Sequence, residues 1–437
     1  MRRQGLKTPM RLERVKGGTK PSFGALSSEF ARFVRFLFGE LKPKGKIFTP
    51  FNVITGVIIL VGLAIIVVRF AKGLGTVTNL SQEFPWGLWI GFDVVTGVAF
   101  AGGAYVLTFM VYILGLEKYH PIARITVLNG FLAYVFYAGA LLLDIGRPWH
   151  IFNPMIGNSF GAASVMFLVA WHFFLYTMAE LVEFSPAIGE WLGYRRVTRF
   201  LQSLTLGAVI FGIMLSTGHQ SGLGALFLMA KGKLHPLWYS SLLPVSFFVS
   251  SIFAGLSMVI LEGTISERVF ADRIPRSHKA SHGEIVVGLS RVCAGAMFVY
   301  LFLEMVKLIN EGTFGYLATP MGAWYLLEVF GLMLVPAALF LLGARRANLL
   351  MLKIAAFGTV LGVALNRLNV SIIAYKWNAP FHYVPSWMEI WVTLAVISAE
   401  IWALRWIVRR MPVYEEHEEQ EDFEELPLKG GEQWKAM

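Results

Sequence analysis

A few ionisable and aromatic side chains are spaced so that they fall at one level of an otherwise apolar chain. They are Trp86, Trp89 and Asp93, then Asp144 and Arg147, then His219 and Gln220. Each group stands at or near one end of a long hydrophobic run. With about 1.5 Å of rise per helical residue, Asp93 lies roughly 12 Å in from Pro85. Asp144 and Arg147 close the next run, and His219 and Gln220 close a third. Such a set suits a flat, apolar ring with two carbonyls, as in a quinone. Its reduction takes up two electrons and two protons. The site must therefore offer an apolar slot, a donor at a carbonyl and an acid or base that passes protons. His219 and Asp144 are candidates for head-group contact and proton delivery, Arg147 for orienting Asp144, and Asp93 for linking the slot to an inward path. Trp86 and Trp89 would wall the ring, with Gln220 beside it. Simpler roles stay open. Asp144 and Arg147 could form an interfacial helix cap, the tryptophans an aromatic belt, and His219 a loop residue.

A second group lies deeper. His172 is near the middle of its run, Glu180 and Glu183 follow, and Glu262 ends another run. His172 and Glu180 are eight apart and share a helix face. With Asp93 these residues could carry protons, or each could be a satisfied interior residue. Arg291, Glu304, Glu328, Arg367, Glu389 and Glu400, farther along, could pair structurally or form a degenerate or second pathway.

The elements that hold these groups follow from composition. The chain has 437 residues, 56% hydrophobic and only 15% charged, with mean hydropathy +0.60. Soluble domains carry about 25% charge. An all-α integral membrane protein is expected, since a span needs roughly 20 mostly apolar residues. Ten runs qualify, near 51–68, 87–115, 122–144, 161–183, 200–218, 239–264, 285–309, 322–343, 349–374 and 387–408. Of the 38 Lys and Arg, 29 fall on the side of the chain termini and 7 on the other. Basic loops stay in the cytoplasm, so both termini are expected inside. The net charge of +10 thus reflects a membrane surface rather than nucleic acid.

Pro85–Trp89 followed by Phe100–Gly103 is echoed by Pro236–Trp238 followed by Phe253–Leu256. The echo suggests two four-helix bundles, spans 2–5 and 6–9, with spans 1 and 10 peripheral. The expected divisions are a basic tail with an amphipathic helix (1–50), span 1 and its loop (51–86), a first bundle holding the quinone site (87–218), a second bundle (219–374), span 10 (375–410) and an acidic tail (411–437).

One cysteine, Cys293, cannot hold an iron–sulfur cluster, which typically takes four thiolates. Electrons must come from a partner. Of nine histidines only His172 reads as deep, which argues against a bis-histidine haem. No phosphate-binding loop, metal-ligand cluster or nucleophile constellation appears.

Pro85-Trp86-Gly87-Leu88-Trp89-Ile90-Gly91-Phe92-Asp93, Leu116-Glu117-Lys118-Tyr119-His120-Pro121, Asp144-Ile145-Gly146-Arg147-Pro148-Trp149, and His219-Gln220-Ser221 through Leu234-His235-Pro236-Leu237-Trp238-Tyr239 carry a resemblance. Over about residues 50–410 the chain resembles the HybB-type membrane subunits of hydrogenase-2-like nickel–iron hydrogenases, within the NrfD/polysulfide-reductase membrane-subunit superfamily. The resemblance implies a haem-free subunit of the bacterial inner membrane that exchanges electrons with menaquinone or ubiquinone. It implies a ferredoxin-like Fe–S partner, itself served by large and small hydrogenase subunits on the periplasmic side, and a quinone site near that face. It also suggests proton transfer, here through Asp93, His172, Glu180, Glu183 and Glu262. An anchor of another periplasmic oxidoreductase and a secondary transporter are the alternatives.

Overall fold

The computed structural model describes residues 31, 34–36, 38–156 and 161–414. Ten helices in it are long and apolar enough to span a bilayer. They are α1 (Pro50–Lys72), α2 (Trp89–Ile113), α3 (Glu117–Asp144), α4 (Val165–Leu192), α5 (Arg195–Ala230), α6 (Leu243–Val269), α7 (Arg276–Asn310), α8 (Pro320–Arg345), α9 (Leu349–Ile373) and α10 (Trp387–Val408). Among the described residues there is no strand, only an isolated bridge between Leu234 and Tyr375. The end at which α1 begins and α10 finishes is called the basic end below, and the opposite one the far end.

Local chemistry sets the helix starts. Thr49, Ser164, Asn348 and Ser386 cap α1, α4, α9 and α10 through side-chain oxygens. Each supplies one of the four orphan backbone N–H groups of a first turn with an acceptor. The end of α5 departs from expectation. The helix does not stop at 218 but runs through His219, Gln220 and Ser221 to Leu226 before a final tight turn. Its glycine- and serine-rich stretch resembles a loop in composition. Packing decides otherwise, because Gly224 lies directly on the backbone of Leu243 at the start of α6. The boundary expected between 218 and 219 therefore falls inside a helix.

α2 is the central element and is almost wholly buried. It packs on α3, α5, α6 and α9, whereas α1 packs mainly on α10. At its crossing with α6, Gly255 sits against the backbone of Gly102 and Gly103, with no space for a side chain. Small residues permit such close backbone approach in membranes, where apolar surface alone gives no drive to associate. The two echoed sequence stretches are thus the two sides of one crossing. The amphipathic helix expected around 30–41 is helical at its described positions, 31, 34–36 and 38–41. Phe36 packs on Trp191 at the end of α4 (ring centroids 5.2 Å). The basic tail before residue 31 and the acidic tail from 415 lie outside the described residues.

Candidate functional site

The expected site residues divide into two groups on either side of α2, with a third set at the far end.

His219 heads the first group, between α3, α4 and α5. It is 1% exposed. Its Nδ1 lies 3.1 Å from the carbonyl of Val169. A carbonyl only accepts, so Nδ1 donates there. In the neutral imidazole Nε2 is then the bare acceptor, and it is buried without a hydrogen-bond partner. Tyr134 and Phe173 flank the ring at 5.7 and 5.5 Å. Gln220 points to α2 and donates to Val98 O at 2.8 Å. That acceptor is free because Gly102 N–H turns instead to Ala99 O. His172 lies beside Gly218, one residue before His219. Toward the basic end, Tyr134 and Tyr176 meet edge to face at 4.7 Å. Glu180 follows, 1% exposed, with neither carboxylate oxygen hydrogen-bonded by geometry, although Tyr176 lies close by. Its carboxylate fills a notch that exists because residue 130 is glycine. Glu183 continues the line. Four expected residues, His219, His172, Glu180 and Glu183, are therefore brought together.

Asp93 belongs to the second group, between α2, α3, α6 and α10. It stands in a π-helical turn, Trp89–Val94, a geometry that recurs at functional sites. Val98 and Asp93 are five residues apart, so roughly 140° separates them around α2. Asp93 Oδ2 accepts from Thr393 at 2.9 Å, while Oδ1 is buried and unpartnered. It faces a cavity of ≈ 240 Å³ whose polar lining includes Tyr137, Asn129, Glu262 and Glu400. Asn129 donates to Glu262 at 2.5 Å. A second cavity of ≈ 60 Å³ shares Asn129 and Glu262 and continues past Glu267, His278 and His282 to Tyr414 at the basic end. Glu262 is thus aligned with Asp93 and not with Glu180.

At the far end Asp144 closes α3, and its charged neighbours include Arg69, Glu389 and Asp93. The expected pairing with Arg147 is corrected, since Arg147 is exposed. Arg69 of α1 reaches over instead, donating to Leu143 O (2.7 Å) and Ile145 O (2.5 Å). It satisfies carbonyls that the end of α3 leaves orphaned. The two tryptophans do not wall one slot either. Trp89 donates its indole N–H to Glu389 O at 3.1 Å, on the α10 side. Trp86 meets Phe227 edge to face at 5.7 Å, on the α5 side. Glu389 anchors the far-end loops. It accepts from Tyr383, Asn79 N and Ser386 N, and Tyr383 in turn accepts from Leu88 N.

Most of the farther charges are bonded structurally. Glu328 accepts from Trp238, Asn366 and Asn369 at 2.8, 2.6 and 2.5 Å. Arg367 donates to Asn366 and Ser250 and lies over Phe247. Glu304 holds Lys307 and Tyr325. Buried polar groups in native proteins are normally hydrogen-bonded, and these clusters need no further role. Arg291 is exposed rather than part of an interior pair. Glu400 is the other departure, because it lines the Asp93 cavity. Arg69, Tyr137 and Glu400 are the site residues that sequence reasoning missed. Arg69 reads as a loop charge, and Glu400 as a member of a distant pair. Only its seven-residue spacing from Thr393 puts Glu400 on the face of α10 that looks at Asp93.

Fold and interior together define a class: a polytopic helical membrane protein with unpartnered acid and imidazole groups inside one part of its helix packing and bonded charges in much of the rest. The chain belongs to the family described as polysulphide reductase, NrfD, which it matches over residues 76–378. It is 41% identical over 376 residues to a protein of Nitratidesulfovibrio vulgaris, covering 86% of this chain and 97% of that one. It is 29% identical over 372 residues to the probable Ni/Fe-hydrogenase 2 b-type cytochrome subunit of Escherichia coli, covering 84% and 93%. It is 26% identical over 391 residues to the menaquinone reductase integral membrane subunit of N. vulgaris, covering 80% and 88%.

Proposed function

We propose that this chain is the quinone-reactive membrane subunit of a respiratory hydrogenase complex of the bacterial inner membrane, with its far end toward the periplasm. Electrons from hydrogen reach it through a ferredoxin-like Fe–S subunit served by large and small nickel–iron hydrogenase subunits. The substrate is menaquinone or ubiquinone, which takes two electrons from the Fe–S donor and two protons to become quinol.

The observation that carries this reading is the state of His219. Its Nε2 is buried and bare, its Nδ1 is fixed by Val169, and two aromatic rings flank it. Such an imidazole is oriented by one nitrogen and available at the other. The O–H of the reduced quinol would donate to Nε2, and Nε2 once protonated would donate to a carbonyl of the quinone. Trp86 and Phe227 would shape the entry from the far end. His172, Glu180 and Glu183 would renew protons along α4. Asp93 and Asp144 lie on the opposite side of α2 and would act in proton movement rather than in contact with the ring.

In the intact complex, His219→Ala is expected to lower hydrogen-driven quinone reduction at least tenfold, while hydrogen oxidation with a soluble artificial acceptor is retained. Unchanged quinone reduction would remove His219 from the site. A second reading keeps the quinone chemistry and changes the partner. It is favoured by the menaquinone reductase protein among the relatives and by a selenate reductase subunit of Mesobacillus selenatarsenatis, 24% identical over 234 residues. The proteins that copurify with the chain decide between the two.

A further inference from the structure

We infer that Glu400 of α10 is the central group of a hydrated proton relay joining Glu262 to Asp93. The inference rests on the quinone reading for the fate of the proton, but not for the relay itself.

Three helices supply one carboxyl each to the ≈ 240 Å³ cavity: Asp93 from α2, Glu262 from α6 and Glu400 from α10. Among the described residues no Lys, Arg or His lines it. Three like charges around one small space cannot all be ionised without a counter-charge, so such a set shares protons. Asp93, 1% exposed, lines this space, and no protein donor meets its Oδ1. Buried polar atoms of this kind are normally served by ordered water. The volume is far above the roughly 10–15 Å³ that one water requires.

Spacing gives Glu400 the middle place. Thr393, bonded to Asp93, is seven residues before it, so Glu400 lies on the same face of α10 and about 10 Å nearer the basic end. Glu400 lines the same cavity as both Glu262 and Asp93. Direct transfer needs hydrogen-bond reach of about 3 Å, so water must link the three. Glu262 is held by Asn129 at 2.5 Å, and the ≈ 60 Å³ cavity behind that pair leads to Glu267 and His282 at the basic end. A proton entering there passes to Glu262, through water to Glu400 and through water to Asp93, which gives it up through water around the far-end turn of α2 to a quinone oxygen as the ring is reduced. Each group returns to its starting state when the next proton arrives. The two electrons of quinone reduction travel separately from the Fe–S donor.

The test uses the intact complex in liposomes, with hydrogen as reductant and a soluble quinone as acceptor. Glu400→Gln keeps shape and hydrogen bonding but cannot pass a proton. It is expected to slow quinone reduction and the matching proton uptake from the basic side at least tenfold. It should also remove a protonated-carboxyl C=O band that shifts in heavy water in the infrared spectrum of the wild type. Glu400→Asp should restore a large part of both. Unchanged turnover and an unchanged carboxyl band would overturn the relay. So would slowed turnover with the band intact, since that marks a structural effect. A wild-type complex that reduces no quinone would sink the functional reading, and the infrared comparison would then decide the relay on its own.

Discussion

At the scale of single residues, hydrogen-bond satisfaction divides the buried carboxylates into two sets. Glu328 is buried as deeply as Asp93 and Glu180, yet both of its carboxylate oxygens are bonded by side chains already in place. Asp93, Glu180 and His219 keep buried carboxylate or imidazole acceptors without such partners. Leaving these groups unsatisfied costs stability, and a site that binds or passes something explains their retention. The two arginines near Asp144 give a clean contrast. Arg69 is 3% exposed and bonds two carbonyls at the end of α3, whereas Arg147 faces outward. Arg69→Met should destabilise the purified protein by about 2 kcal/mol or more, because buried carbonyls lose charged donors. Arg147→Met should change stability by less than about 0.5 kcal/mol. Thermal unfolding in detergent measures both, and equal effects would contradict the placement of Arg69.

At the scale of elements, close contacts and loops decide what can move. The α2–α6 crossing leaves no space beside Gly255. Gly255→Val should separate the two helices, widen the cavity behind Asp93 and lower the yield of folded protein, as overpacking costs typically about 1–3 kcal/mol. Size-exclusion yield and thermal stability report it. At the far end, the His235 N–H bonds to Ala374 O, and its ring packs on Trp238, Tyr316 and Trp377 at 5.5, 5.4 and 4.7 Å. Burial pulls the His235 imidazole below its ordinary range. The unfolded chain then binds a proton before the folded one does. The far-end loops should be fully stable above about pH 6.5 and lose stability as the pH falls below it. Hydrogen exchange at residues 230–240 and 374–384 should accelerate on acidification in the wild type and less so in His235→Gln. Equal acceleration in both would assign the effect elsewhere.

At the scale of the whole molecule, α2 is a partition. One side carries the imidazole group of His219 and His172 with Glu180 and Glu183 below, and the other carries the carboxyl-lined cavity. Neither helix count nor loop length requires this division. It comes from the rotation of about 140° between Asp93 and the level of Gln220 around one helix. α10, expected to be peripheral, contributes Thr393 and Glu400 to the interior and Glu389 to the far-end loops. One face of α10 thereby reaches the interior, while most of the helix stays at the edge of the packing beside α1.

Much of the architecture could be read directly from the chain. Ten apolar runs of spanning length appear as ten helices, because the bilayer-crossing length and the need to bond every backbone group internally leave no other solution. Depth was legible only where the end of a run was, and α5 continues past His219 to Ala230, which sets His219 deeper than the end of its apolar run suggests. What the chain alone could not decide is which face of each helix looks at which neighbour. Asp93 and His219 fall on different sides of α2, Arg69 replaces Arg147 beside Asp144, and Glu400 joins residues more than a hundred positions away. Hydropathy is a property of position along a helix. Azimuth and partner are fixed only when side chains from ten helices pack together, and that is where proximity between these groups is settled.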